Sequence, residues 1–217
     1  MTLIVLAGTI GAGKTSLTTM LADHLGTQAF YESVEDNEVL PLFYENPKQY
    51  AFLLQIYFLN KRFDAIKQAY SEDNNILDRS IFEDSLLFHL NADLGRATAT
   101  EVRVYDALLA NMMQELPYAA YKKRPDLLVH IRVSFDTMLQ RIKRRGRSYE
   151  QLDVDPSLYH YYEELNRRYD QWYADYDQSP KMQIDGDQLD FVTNAADRAE
   201  CLRLIDARLA QLKAPTA

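Results

Sequence analysis

The chain has 217 residues, 47% of them hydrophobic and 26% charged, with a formal net charge of −8. That composition suits one globular domain with its own core, and the acidic balance argues against a protein whose main business is coating nucleic acid or anionic membrane. The single cysteine, Cys201, excludes an internal disulfide, fits a reducing cytoplasm and reads as a helix-packing residue, while the four histidines show no metal-ligand spacing.

Residues 3–6 read as a buried strand and not as a signal peptide, because the apolar run is short, lacks a basic lead-in and ends in glycines. A Gly-rich turn then opens a helix over about 14–25. A short strand follows at 29–31, and a long apolar-rich helix at about 47–70. Next come a strand at 75–77, helices at about 82–92 and 101–116, a strong strand at 127–132 and a helix at 135–143. A basic stretch leads to a Tyr-rich helix at about 156–176, a strand at 181–184 and a last helix at about 195–212. No stretch approaches the roughly 18 apolar residues of a membrane span. No repeat or linker divides the chain, so one domain over residues 1–217 is expected. Strands separated by helices predict an α/β fold: a doubly wound, parallel, five-stranded sheet with helices on both faces. Ligands of such sheets bind at the carboxyl ends of the strands.

The polar motifs fall at those ends. Gly8-Thr9-Ile10-Gly11-Ala12-Gly13-Lys14-Thr15 fits G-x-x-x-x-G-K-[ST] between a strand and a helix. Its glycines let backbone N–H groups curl around phosphate, and the helix adds its positive end. Lys14 is expected to reach the β- and γ-phosphates of ATP, Thr15 to ligate Mg²⁺, and Ser16 to sit beside them. A GTP switch is disfavoured: the Asn60-Lys61 pair is followed by Arg62-Phe63, inside a helix, where a base-reading motif needs a late strand.

Glu32, the first carboxylate past the second strand, is a candidate proton acceptor for a substrate hydroxyl. Glu35 and Asp36 read instead as a solvated loop. Gln55 sits in a helix that is apolar nearly all round, and a buried amide needs a partner, for which a planar base edge is suitable. Arg62 follows seven residues later on the same face, so the two are expected to look into one cavity. Arg79 is expected to clamp phosphate or the attacking oxygen, and Asp78 to help hold Mg²⁺. Asp84, if it approaches Arg62, makes a fixed hydrogen-bonding edge. Arg141, Lys143, Arg144, Arg145 and Arg147 surround Gly146, in the pattern of a phosphate-closing lid over about 141–150.

Together these residues resemble the deoxyribonucleoside kinase family, in its bacterial deoxyadenosine/deoxyguanosine kinase branch, over nearly the whole chain. The P-loop is similar to the family's G-x-I-G-x-G-K-[ST]. Glu32-Ser33-Val34 stands at the family's Glu-Pro-Val, with serine in place of proline. Asp78-Arg79-Ser80 resembles [DE]-R-S, and Arg141, Arg145 and Arg147 match R-x-x-x-R-G-R. The resemblance implies that Glu32 is the general base for a 5′-hydroxyl, that Tyr44 and Glu150 hold the 3′-hydroxyl, and that Gln55 pairs with the base. It further implies that the Arg62 and Asp84 pair marks a purine pocket, for deoxyadenosine or deoxyguanosine, that also admits deoxycytidine. A dimer, with itself or with a paralogue, is implied as well, while the single cysteine, the acidic charge and the lack of a long apolar stretch predict a cytoplasmic protein with no nucleic-acid or membrane partner. A nucleoside-monophosphate or other small-metabolite kinase, and a non-catalytic nucleotide-binding regulator, are the competing readings.

Overall fold

The computed structural model describes residues 3–32, 36–71, 75–119 and 124–214. Strand β1 (Leu3–Ala7) leads through the Gly-rich turn into α1 (Lys14–Leu25), then β2 (Gln28–Phe30), α2 (Val39–Glu45), α3 (Pro47–Ser71) and β3 (Asn75–Asp78). Helices α4 (Ile81–Asp93) and α5 (Ala99–Ala119) precede β4 (Leu127–Arg132) and α6 (Phe135–Arg145). A 3-10 turn (Ser148–Glu150), α7 (Leu158–Asp175), β5 (Lys181–Asp185) and α8 (Ala195–Lys213) complete the order. Among the described residues, no helix is long and apolar enough to cross a membrane.

The strands form one parallel five-stranded sheet in the order β2-β3-β1-β4-β5. β1 lies in the middle, so its successive side chains feed two cores. Ile4 and Leu6 join Ile76, Val129 and Ile131 under α1, α7 and α8. Leu3, Val5 and Ala7 join Leu77 and Leu128 under α3, α4 and α5. A strand buried on both faces reads as a continuous apolar run, as these do. Trp172 packs against both clusters.

The predicted strands and long helices all form, with shifts of a few residues at their ends. Helix α2 was not predicted. It is only seven residues long and carries Pro41, a residue that reads as a break. Pro41 falls in the first turn, where a missing N–H costs nothing. The Asn37 carboxamide oxygen accepts from the N–H groups of Val39 and Leu40 at 3.0 Å each, supplying the start signal. Val39, Leu40 and Phe43 then pack on Ala51 and Leu54 of α3, and tertiary burial decides the conformation.

The start of α4 is set by a capping box. The Ser80 hydroxyl accepts from the N–H of Phe82 at 3.1 Å, and the Glu83 carboxylate accepts from the N–H of Ser80 at 2.6 Å. Such a cap contributes on the order of 1 kcal/mol. It also fixes where the β3–α4 junction enters the site.

Candidate active site

At the carboxyl end of β1 the chain turns through Gly8 and Gly13, at φ 147° and 99°. A Cβ on Gly8 would lie 2.6 Å from the Ile131 carbonyl oxygen, and one on Gly13 would lie 3.0 Å from the Phe191 ring, so both positions require glycine. Lys14 opens α1 and folds back over the loop, donating to the carbonyls of Gly8 (2.8 Å) and Thr9 (3.0 Å). Burial, reinforced by the nearby Arg79 cation, brings its pKa down to about 8. The Thr15 hydroxyl donates to Asp78 Oδ2 at 2.6 Å, across the β1–β3 pair.

Past β3, Arg79 stands at φ 81°, a left-handed conformation that costs a non-glycine residue about 1–3 kcal/mol. Its backbone N–H donates to Leu6 O (2.9 Å) and its Nη1 to the Tyr169 hydroxyl (2.8 Å). Its Nε lies 2.9 Å from Glu32 Oε1, an ion-pair contact without hydrogen-bond alignment. Glu32 Oε1 also accepts from Arg62 Nη2 at 3.0 Å. Burial alone would raise the Glu32 pKa, but the Arg79 and Arg62 guanidinium groups, with Lys14, hold it down to about 2.

Arg62 meets Asp84 through two nitrogens, Nε to Oδ2 and Nη2 to Oδ1 at 3.2 Å each, and its Nη1 donates to the Asp78 carbonyl at 3.0 Å. The predicted approach of Asp84 to Arg62 is therefore present. The expectation that Gln55 and Arg62 look into one cavity is not met. Gln55 lines a cavity of about 430 Å³ together with Lys14, Thr15, Glu32, Tyr44 and Arg79, whereas Arg62 lines a separate pocket of about 200 Å³ on the far side of Glu32 and Arg79. Seven residues bring the two side chains to one face of α3, but the salt bridge to the fully buried Asp84 pulls the guanidinium aside. Gln55 Oε1 is buried and has no hydrogen-bond partner in the protein.

The basic stretch borders the same cavity through Arg141, Arg144, Arg145 and Arg147. Arg141 and Arg145, both placed in the lid by sequence, take different partners. Arg141 donates to the carbonyls of Ala12 (2.8 Å) and Gly186 (2.7 Å), tying α6 to the phosphate loop. Arg145 pairs with Glu150 Oε2 through Nη2 (2.6 Å) and Nε (3.1 Å), and Arg147 reaches Glu150 Oε1 at 3.5 Å. Glu150 is almost fully buried. The Tyr44 ring lies 5.1 Å from that of Tyr149, and burial raises its hydroxyl pKa well above the ordinary value. Among the residues expected to bind ATP, Ile10, Gly11, Gly13 and Ser16 line the cavity with Lys14 and Thr15. The expectations for Ser33, Val34 and Glu35 lie outside the described residues.

Sequence reasoning missed several participants. Glu83 is fully buried and accepts from the Gly8 N–H (3.1 Å) and the Tyr169 hydroxyl (2.9 Å). Its sequence signal was available, since Ser80-Ile81-Phe82-Glu83 has the S-x-x-E spacing of a capping box. Tyr169, Asn91 and Tyr161 carry no local signal, because the contacts that bring them to the site come from distant segments.

The deoxynucleoside kinase family profile matches residues 4–210. The chain is similar to a deoxyguanosine kinase of Lactobacillus johnsonii, 63% identical over 212 residues, 98% of this chain and 94% of that one. It is also similar to a deoxyadenosine kinase of Lactobacillus acidophilus, 55% identical over 209 residues, 96% of this chain and 97% of that one. Among solved structures, the deoxyadenosine kinase from M. mycoides with bound dATP superposes with a TM-score of 0.78 at 32% identity, covering 95% of this chain and 98% of that one.

Proposed function

The chain belongs to the deoxynucleoside kinase family, and from that premise we propose that it transfers the γ-phosphoryl group of ATP to the 5′-hydroxyl of a purine deoxynucleoside, deoxyguanosine ahead of deoxyadenosine. One observation carries this reading. A single cavity is lined by the phosphate-loop residues Lys14 and Thr15, by the carboxylate of Glu32, and by Gln55, whose buried amide oxygen has no partner in the protein. A base with a hydrogen-bond donor on its edge supplies that partner. The relatives support the purine choice, since those at 63% and 60% identity are named deoxyguanosine kinases and the one at 55% a deoxyadenosine kinase.

In this reading the protein positions and stabilises charge, with no covalent step of its own. Glu32 accepts the proton of the 5′-hydroxyl. Tyr44 and Glu150 hold the 3′-hydroxyl, and the Arg62–Asp84 pair holds Glu32 from behind the cavity. Arg79, Lys14 and the lid arginines Arg145 and Arg147 face the transferring phosphoryl, while Arg141 braces the loop beneath it. Thr15 and Asp78 fit a Mg²⁺ ion: their side chains already meet at 2.6 Å, and Asp78 Oδ1 is buried without a partner. The bound ion would supply neutralisation of the β- and γ-phosphate oxygens. The family resemblance adds a dimer, with itself or with a paralogue, and the single cysteine fits a cytoplasmic location.

The test is a turnover panel with Mg·ATP and deoxyguanosine, deoxyadenosine, deoxycytidine, thymidine, adenosine and the purine deoxynucleoside monophosphates. Strong turnover of the purine deoxynucleosides with little of thymidine or adenosine is expected. Preference for thymidine would overturn the purine reading, and preference for a nucleoside monophosphate would overturn the acceptor class.

A further inference from the structure

Tyr169 and Glu83 are buried on the far side of Arg79, and neither lines the main cavity. The Tyr169 ring is explained by packing: it stacks near His130 at 6.0 Å and meets Trp172 edge-on at 6.0 Å. Its hydroxyl is not, because phenylalanine would fill the same space. That hydroxyl accepts from Arg79 Nη1 (2.8 Å) and donates to Glu83 Oε1 (2.9 Å). Glu83 likewise exceeds its local role. The capping box needs one carboxylate oxygen, the one on the Ser80 N–H; the other reaches the Gly8 N–H, at the entry to the phosphate loop. One chain of hydrogen bonds thus runs from the phosphate loop through Glu83 and Tyr169 to Arg79, whose backbone is held in the left-handed region.

We propose that Tyr169, backed by Glu83, is a positioning residue for phosphoryl transfer: it holds the Arg79 guanidinium in register with the phosphate loop without touching substrate. Strain at a functional residue persists only where its surroundings over-determine it: the Arg79 N–H on the Leu6 carbonyl pins the backbone, and a helix 90 residues away pins the side chain. Glu32 grips Arg79 from the cavity side. Tyr169 grips it from the protein side, so that release of the Glu32 contact during reaction leaves the arginine in place. The proposal rests on the reading of Arg79 as the phosphoryl clamp.

The experiment is a double-mutant cycle of Tyr169→Phe and Arg79→Ala, read by kcat and by KM for ATP and for deoxyguanosine or deoxyadenosine, with rates normalised to the fraction that binds ATP. Tyr169→Phe alone is expected to lower kcat about 10-fold or more, the scale of one hydrogen bond to a charged group, with both KM values within about twofold. In the Arg79→Ala background the same change is expected to alter kcat by less than about twofold, because its target is gone. Wild-type kcat in Tyr169→Phe beside a crippled Arg79→Ala overturns this proposal alone. Wild-type kcat in Arg79→Ala overturns both the proposal and the clamp role. A Tyr169→Phe loss that repeats in full without Arg79, or that disappears on normalisation, also overturns it. If Tyr169→Phe does not fold, Glu83→Gln, which keeps the shape but removes the charge and turns one of the two acceptor oxygens into an NH2 donor, enters the same cycle with the same readings.

Discussion

Glu32 keeps its charge because two guanidinium groups hold it, with Oε1 at 3.0 Å from Arg62 and 2.9 Å from Arg79. Replacing it by Gln keeps the shape and removes the base, and kcat is expected to fall by about 10²–10⁴; steady-state rates within a factor of a few of wild type would show that the base lies elsewhere. Its pKa of about 2 also means that Glu32 does not titrate across the usual assay range. Lys14 does, because burial and Arg79 bring it to about 8. As pH rises through that value the ammonium loses its proton and the nucleotide site loses a cation. The expected outcome is that kcat/KM for ATP falls above about pH 8, since kcat/KM reports the free enzyme. Bound triphosphate favours the charged lysine, so kcat holds to a higher pH. A kcat/KM profile that stays level past pH 9 contradicts the role given to Lys14. Lys14 and Thr15 are legible from spacing alone, because the phosphate loop is a local motif. The partners of Glu32 are not, since both arginines reach it across other segments, 30 residues away in the case of Arg62.

At the level of elements, α6 and the 3-10 turn after it show how the basic stretch is anchored. The basic run was legible as a cluster of cations around a glycine, and Gly146 does end α6 at φ 74°. Its partners were not legible, because a carboxylate three to five residues downstream reads equally as solvated. Buried Glu150 instead gathers Arg145 and Arg147. Removing it in Glu150→Ala takes away both the arginine anchor and the contact proposed for the 3′-hydroxyl. The expected result is a fall of about 10- to 100-fold in kcat/KM for the deoxynucleoside, the scale of a lost hydrogen bond to a charged group, with KM for ATP within about threefold. If kcat/KM for the deoxynucleoside is unchanged while KM for ATP rises, Glu150 orders the lid only and the 3′-hydroxyl assignment fails. Helix α2 belongs to the same scale. Pro41 hid it from propensity, and only the packing of Leu40 and Phe43 on α3 makes it a wall of the cavity.

Across the whole molecule, the sheet was the most legible part, because five apolar runs separated by helical segments admit few connections. The order β2-β3-β1-β4-β5 was not, since apolar strands of similar length carry no label of their neighbours. That order puts β1 and β3 side by side, which brings Thr15 to Asp78 and the Leu6 carbonyl to Arg79. The site draws on the phosphate loop, α2, α3, the β3–α4 junction and the lid, so no fragment of the chain holds it. Nucleotide binding and the global fold are therefore expected to be lost together. Trp172, the single tryptophan, reports the fold well: it touches both cores, and its Nε1 donates to the Phe82 carbonyl at 3.2 Å, at the start of α4. In a urea titration, the Trp172 fluorescence midpoint and the midpoint for loss of ATP binding are expected to coincide. ATP at 100 times its Kd adds about 2.7 kcal/mol to the folded state. At roughly 2–4 °C per kcal/mol for a chain of this size, the thermal midpoint should rise by about 5–10 °C. Loss of ATP binding at clearly lower urea than the Trp172 transition would mean that the lid and α2 side of the site unfolds on its own, and the cavity would then be a locally stable assembly and not a property of the whole fold.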